Sequence, residues 1–325
     1  MVISIGGSVS TGSSPWIDIV SAYEDVGVLE KELRIGESGL YSIASKIYLQ
    51  NTPTKNEFSQ VKRSLTEFGQ QVPLPQRLAF ALFTRLPGIS ADIQTEITQY
   101  LSRKRSYDKF FPGFTLYSGR MLKELELLID ELKHLKNSEK KLKIEKIMNE
   151  YIASLEKCIC SDKKIVFNQL ISPRLLFDEK YGCVASNVFS EVKIIVVRRD
   201  PRDQFIDLLL KKKKGYHLMQ TNEAASLFVN EYIPRYDRMV DMLETCNHSN
   251  IIDVWFEDIF FDFETALNKV ETFLGLKSRP NFFHTFDFSD ASSKVKMHEN
   301  NKFSKEVAFI KDNMGRHLYL SLIHI

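Results

Sequence analysis

The sequence predicts an α/β fold: a mostly parallel central sheet with helices on both faces, of the phosphate-binding-loop type, carrying a large helical insertion. Three observations predict it. A β-branched run at the N-terminus leads through a glycine-rich turn into a helix, a long middle stretch has helical spacing with almost no strand signal, and strands alternate with helices beyond Ser161. Alternation of this kind favours a parallel sheet covered by its own crossover helices, with the first strand returning to join the later ones.

In chain order, Val2 to Ile5 reads as a short strand and Gly6 to Ser14 as the turn. Pro15 then begins a helical pattern through Ile19, Val20 and Tyr23. Proline suits the first helical position, because its missing amide hydrogen has no helical partner there in any case. Residues 1–38 are assigned to this strand, turn and helix of the core, and residues 39–160 to the helical insertion. Within the insertion, Leu122, Leu125, Leu128, Ile129, Leu132 and Leu135 form one amphipathic series and Leu142, Ile147, Tyr151 and Leu155 another. Lys136 to Glu139 between them reads as a helix-to-helix turn, with Asn137 or Ser138 as cap.

The remainder of the core, residues 161–319, returns to alternation. Ile165–Phe167, Val192–Val197 and Ile251–Trp255 are strand-like; Gln204–Leu210, Ala224–Leu243 and Phe263–Leu274 are helical. Residues 320–325, Leu-Ser-Leu-Ile-His-Ile, resemble translated sequencing-adapter sequence and are expected to be a non-native tail. The native chain is then expected to continue past Tyr319.

Composition excludes several classes. The 325 residues are 43% hydrophobic and 26% charged, which is neither disordered nor collagen-like. A net charge of +2 lacks the strongly basic footprint of nucleic-acid binding, so any basic site is local. No apolar run approaches the ~18 residues of a membrane span. The N-terminus lacks the basic region of a signal peptide, and a cytoplasmic location is expected. Cys158, Cys160, Cys183 and Cys246 include no CxxC pair, so neither a disulfide framework nor a metal site is expected.

In such sheets ligands sit at the carboxyl ends of the strands. After the first strand, Gly7-x-x-x-x-Gly12-Ser13-Ser14 has the spacing of a phosphate-binding loop, with serine where an NTPase carries lysine. Backbone amides and a helix N-terminus still make an anion cradle there. After the strand ending at Val197 the chain reads Arg198-Arg-Asp-Pro-Arg-Asp203, which brings guanidiniums to the same edge. Arginine's planar fork of donors suits phosphate. The bland alternatives are a ligand-free turn and a local network of the arginines with Asp200 and Asp203.

Three segments, in order, resemble the sulfotransferases that use 3′-phosphoadenosine 5′-phosphosulfate, and in particular the glycan-modifying members. Ser10-Thr-Gly-Ser-Ser-Pro-Trp16 is similar to the 5′-phosphosulfate loop, and Ile194 to Asp203 to the strand and turn that hold the 3′-phosphate. Phe256-Glu-Asp-Ile259 with Phe263 to Leu276 is similar to the later acidic turn and helix. The resemblance implies that Val9, Ser10, Thr11, Gly12, Ser13 and Ser14 hold the 5′-phosphosulfate and that Arg199 contacts the 3′-phosphate. Two positions depart from the pattern. Ser10 stands where a loop lysine or arginine is usual, and Asp207, eight residues after Arg199, stands where serine is usual. A carboxylate at Asp207 repels phosphate unless a cation such as Arg198, Arg202 or Lys302 neutralises it.

The same resemblance places the base that takes the acceptor's proton at Glu32, 22 residues after Ser10. The histidine used by small-molecule members has no counterpart, because its position falls near Asn168 and Gln169. Lys294 and Lys302 lie in the polar segment where the family closes a loop over the nucleotide. Lys211 to Lys214 either complement a helix C-terminus or face an anionic acceptor. The expected activity is transfer of a sulfuryl group from the nucleotide donor to a hydroxyl of a carbohydrate or related metabolite, without a metal. The competing readings are a noncatalytic binding or scaffold protein of the same fold and a phosphate-loop kinase, the latter disfavoured by the missing lysine.

Overall fold

The computed structural model describes residues 1–7, 10–29, 54–56, 59, 136–158, 164–168, 192–212, 215–245, 249–280, 282, 288–299 and 302–319. The chain forms two compact units, one of residues 1–2, 34–164 and 180–192, the other of residues 3–33, 165–179 and 193–325. In the first, the principal described element is helix α2 (Asn137–Cys158). The Lys136 amide donates to Glu139 at its start, and Ile144 is buried. The partner series Leu122 to Leu135 lies outside the described residues.

The second unit is built on a five-stranded sheet of β1 (Val2–Gly7), β2 (Val26–Leu29), β3 (Lys164–Asn168), β4 (Val192–Arg198) and β5 (Ile251–Trp255). The strand order is β2-β3-β1-β4-β5, and β4 pairs in parallel with β5 from Ile194 opposite Ile251 to Arg198 opposite Trp255. The first strand therefore returns to the middle of the sheet, as the alternation predicts. Every residue of β1 is buried, which is why its β-branched residues fall on both faces of the strand and even the polar Ser4 is enclosed.

Helices flank the sheet: α1 (Ser13–Ser21), α3 (Pro201–Leu210), α4 (Thr221–Thr245), α5 (Asp258–Phe261), α6 (Phe263–Leu274), α7 (Phe288–Ser292) and α8 (Ser304–Asn313). Helix α1 begins at Ser13, so Pro15 is its third residue and not its first. Its free-amide requirement is still met there, because none of the first helical N–H groups has a partner one turn back. Helix α3 does carry proline at its first position, and the Asp200 side chain caps it by accepting from the Arg202 amide at 2.9 Å. Helix α6 buries Ala266, Leu267, Val270 and Leu274 along one stripe and ends at Gly275, whose φ of 60° is the left-handed cap that glycine favours.

Aromatic contacts knit α4 to the core. Phe228 stacks on Tyr232 with centroids 4.5 Å apart and meets Phe205 of α3 at 5.5 Å. Of the irregular aromatics from Trp255 onward, Phe256 and Phe282 are core, while Trp255, Phe260, Phe261, Phe263 and Phe273 are half-buried; the Trp16 indole donates to the Trp255 carbonyl at 3.0 Å, tying α1 to the end of β5. Among the described residues, no helix is long and apolar enough to cross a membrane.

Candidate active site

Three chain segments meet at the carboxyl ends of β1, β4 and β5. The first is the turn between β1 and α1. Ser10 and Gly12 both adopt left-handed backbone, with φ of 63° and 78°. At Gly12 a Cβ would lie 2.5 Å from the Phe256 ring, so the turn requires glycine for conformation and for space. Gly7 is equally confined: a Cβ there would fall 2.5 Å from the Val197 carbonyl. Gly12 is the N-cap of α1 and no side chain caps the helix, which leaves its first amides directed into the turn. The Ser10 hydroxyl is buried without a hydrogen-bond partner among the described residues. An uncapped helix start with an orphaned hydroxyl beside it is a cradle that fits an anionic group.

The second segment is the turn after β4, where Arg199 is 1% exposed. Its Nη1 donates to the Ser10 carbonyl at 2.9 Å, and its Nη2 donates to the Lys294 carbonyl at 2.6 Å and reaches Met297 Sδ at 3.4 Å. The guanidinium lies 5.0 Å over the Phe256 ring, the same ring that confines Gly12. Arg199 thus joins the anion turn, the end of β5 and the 293–299 turn. The Tyr236 hydroxyl holds its backbone, 3.1 Å from the Arg199 carbonyl and 2.7 Å from Gln204 Oε1.

Asp207, in the second turn of α3, is also buried, and its Oδ2 is 3.5 Å from Arg199 Nη1 and 2.8 Å from Lys211 Nζ. The cations on this carboxylate are therefore Arg199 and Lys211, and none of the candidates offered from sequence, Arg198, Arg202 or Lys302, pairs with it. Arg198 is engaged with Asp253 at 3.1 Å and packs 4.1 Å over Trp255. Arg202 grips Asp200 through Nε and Nη2 at 2.9 and 2.7 Å. Lys302 is exposed, its ammonium 5.1 Å over the Phe303 ring. Each of these arginines has a nearer carboxylate than Asp207, which decides its pairing.

Lys294 enters the site through its backbone carbonyl. The turn that carries it is fastened by His298, whose amide donates to Asp203 Oδ1 at 2.9 Å and whose Nδ1 lies 2.6 Å from the same oxygen. Thr11, Gly12, Ser13 and Ser14 are placed with the turn, whereas Val9 and Glu32 lie outside the described residues. Strand β2 ends at Leu29, three positions before Glu32. Sequence reasoning missed Phe256, Met297, Asp203 with His298, and Lys211 as the partner of Asp207. Only the last had a readable signal, the i,i+4 spacing that places Asp207 and Lys211 on one helical face.

Glu257, next to Phe256, is a further buried group. Its Oε1 accepts from the Asp200 amide at 2.9 Å, while Oε2 has no partner among the described residues. Burial pushes its carboxyl up to about 8 from an ordinary 4.5, outweighing the Asp200 amide and Arg199, which pull it down. The folded state therefore holds a proton that the unfolded state gives up, and stability falls as pH rises from about 4.5 to about 8. Glu257→Gln keeps the acceptor and removes the titration. The difference in melting temperature between variant and parent is expected to be small at pH 5 and to grow in the variant's favour up to pH 9.

Among the described residues, no group of acidic, histidine or cysteine side chains is arranged to hold a metal ion. Residues 177–280 match the model of a sulfotransferase family. No curated protein matches the chain. Among solved structures, the sulfotransferase domain from the Synechococcus PCC 7002 olefin synthase is similar at 13% identity and a TM-score of 0.43, over 97% of this chain and 94% of that one.

Proposed function

From a chain that carries sulfotransferase-family sequence over residues 177–280, we propose a sulfotransferase that moves a sulfuryl group from 3′-phosphoadenosine 5′-phosphosulfate to a hydroxyl of a carbohydrate or related metabolite. The observation that carries the reading is the convergence of the uncapped α1 turn with Arg199 at one sheet edge. In this reading the amides and hydroxyls from Val9 to Ser14 receive the 5′-phosphosulfate. Arg199, with the turn bearing Lys294 and then Lys302, faces the 3′-phosphate side.

The acceptor oxygen attacks sulfur, the bond from sulfur to the bridging oxygen of the 5′-phosphate breaks, and the acceptor's proton passes to Glu32. Charge then accumulates on the leaving phosphate, where the helix N-terminus of α1 and the turn amides stabilise it. With Ser10 in place of a loop cation, these fixed dipoles carry more of that stabilisation. A noncatalytic reading draws on one specific observation: Arg199 and Asp207 are already paired within the chain.

Calorimetric titration with 3′-phosphoadenosine 5′-phosphate, and separately with ATP and magnesium, tests the proposal. Micromolar binding of the first and none of the second is expected. Absence of 3′-phosphonucleotide binding by the folded protein sinks the enzyme reading in favour of the noncatalytic one, and magnesium-dependent ATP binding favours a kinase.

A further inference from the structure

We propose that Lys211 is a positioning residue for the nucleotide donor: its ammonium holds the buried Asp207 carboxylate and so leaves Arg199 available to the donor's 3′-phosphate. The inference rests on the donor reading above.

Three charges share one buried spot. The Asp207 side chain is 4% exposed and that of Arg199 2%, so neither is relieved by solvent, whereas Lys211 is 43% exposed and reaches in from the end of α3. Lys211 takes Asp207 Oδ2 at hydrogen-bonding distance, 2.8 Å, and Arg199 sits off the same oxygen at 3.5 Å, close enough to attract but too long for a hydrogen bond. The carboxylate is therefore committed to the lysine and only leans on the arginine. The remaining contacts of the Arg199 fork go to two carbonyls and a thioether, all neutral, and these fix its position without cancelling its charge.

The arithmetic of charge gives the consequence. Arg199, Asp207 and Lys211 sum to +1, which attracts a phosphate. Without Lys211 the sum is zero and Asp207 has no other cation than Arg199 among the described residues, so carboxylate and phosphate compete for one guanidinium. Neutralising Asp207 alone raises the sum to +2, and removing both returns it to +1. Among the described residues, the neighbouring Arg198 and Arg202 do not substitute, since they are held by Asp253 and Asp200.

The test is a double-mutant cycle of Lys211→Ala and Asp207→Asn, titrated with 3′-phosphoadenosine 5′-phosphate and with adenosine 5′-phosphate, and with melting temperatures measured alongside. Lys211→Ala is expected to weaken the 3′-phosphorylated ligand about tenfold and to leave the ligand lacking that phosphate unchanged. The double variant is expected to recover to within about threefold of the parent, and Lys211→Arg to bind as the parent does. Equal weakening of both ligands, or no weakening of either, overturns the role given to Lys211. A parent protein that binds neither ligand overturns the donor reading itself, a result distinguishable because it appears before any substitution is made.

Discussion

Arg199→Ala is expected to destabilise the fold by about 3–6 kcal/mol, at ~1.5–3 kcal/mol for each of its two hydrogen bonds from a charged donor to a carbonyl, and to abolish 3′-phosphonucleotide binding in whatever fraction remains folded. The size follows from what the side chain leaves behind. Asp207 keeps Lys211 but loses its buried neighbour, and the Ser10 and Lys294 carbonyls each lose a charged donor. Phe256, whose ring confines Gly12, loses the cation above it. Denaturant unfolding of parent and variant checks the stability term. Arg199→Lys separates the roles, because a lysine keeps the charge but cannot span both carbonyls with a planar fork. A variant that melts with the parent would show that the arginine does not hold these turns together.

Glu32→Gln is expected to lower kcat by about 10²–10⁴-fold while leaving donor affinity within about twofold. Glutamine matches glutamate in shape but cannot accept the proton that an acceptor hydroxyl must lose as its oxygen attacks sulfur. Transfer of radiolabelled sulfate from the donor to a panel of mono- and oligosaccharides measures it, with calorimetry on the same preparation as the control for binding. Unchanged turnover would remove Glu32 from the reaction and direct attention to another base.

The elements that position the site were readable because each announces itself locally. A buried parallel strand is a run such as Val192 to Val197; the helix after it was readable from Gln204, whereas it begins three residues earlier at Pro201 under the Asp200 cap. The glycine turn was legible for the same reason, since Gly12 combines a left-handed backbone with a space that holds no Cβ. The partners of charged groups were legible only where they lie close in the chain. Arg198, Arg199 and Arg202 are neighbours in sequence, yet they go to Asp253, to Asp207 with distant carbonyls, and to Asp200. Arg202 meets Asp200 two residues away, within the local network that the sequence offered as an alternative, whereas the pairing of Arg198 depends on the register that sets β5 beside β4, a nonlocal quantity. Pro15 shows the smaller error of boundary: the uncapped start of α1 extends two residues ahead of it, because the turn already supplies helical backbone at Ser13.

The fork of Arg199 also has a meaning for the order in which the molecule assembles. Its two carbonyl partners are 189 and 95 positions away along the chain. Closing loops of that length costs entropy before any contact returns it, so such junctions form after the strands they join. The cradle is then among the last parts of the chain to become native, and competence to hold an anion reports completed folding rather than the earlier arrival of the sheet.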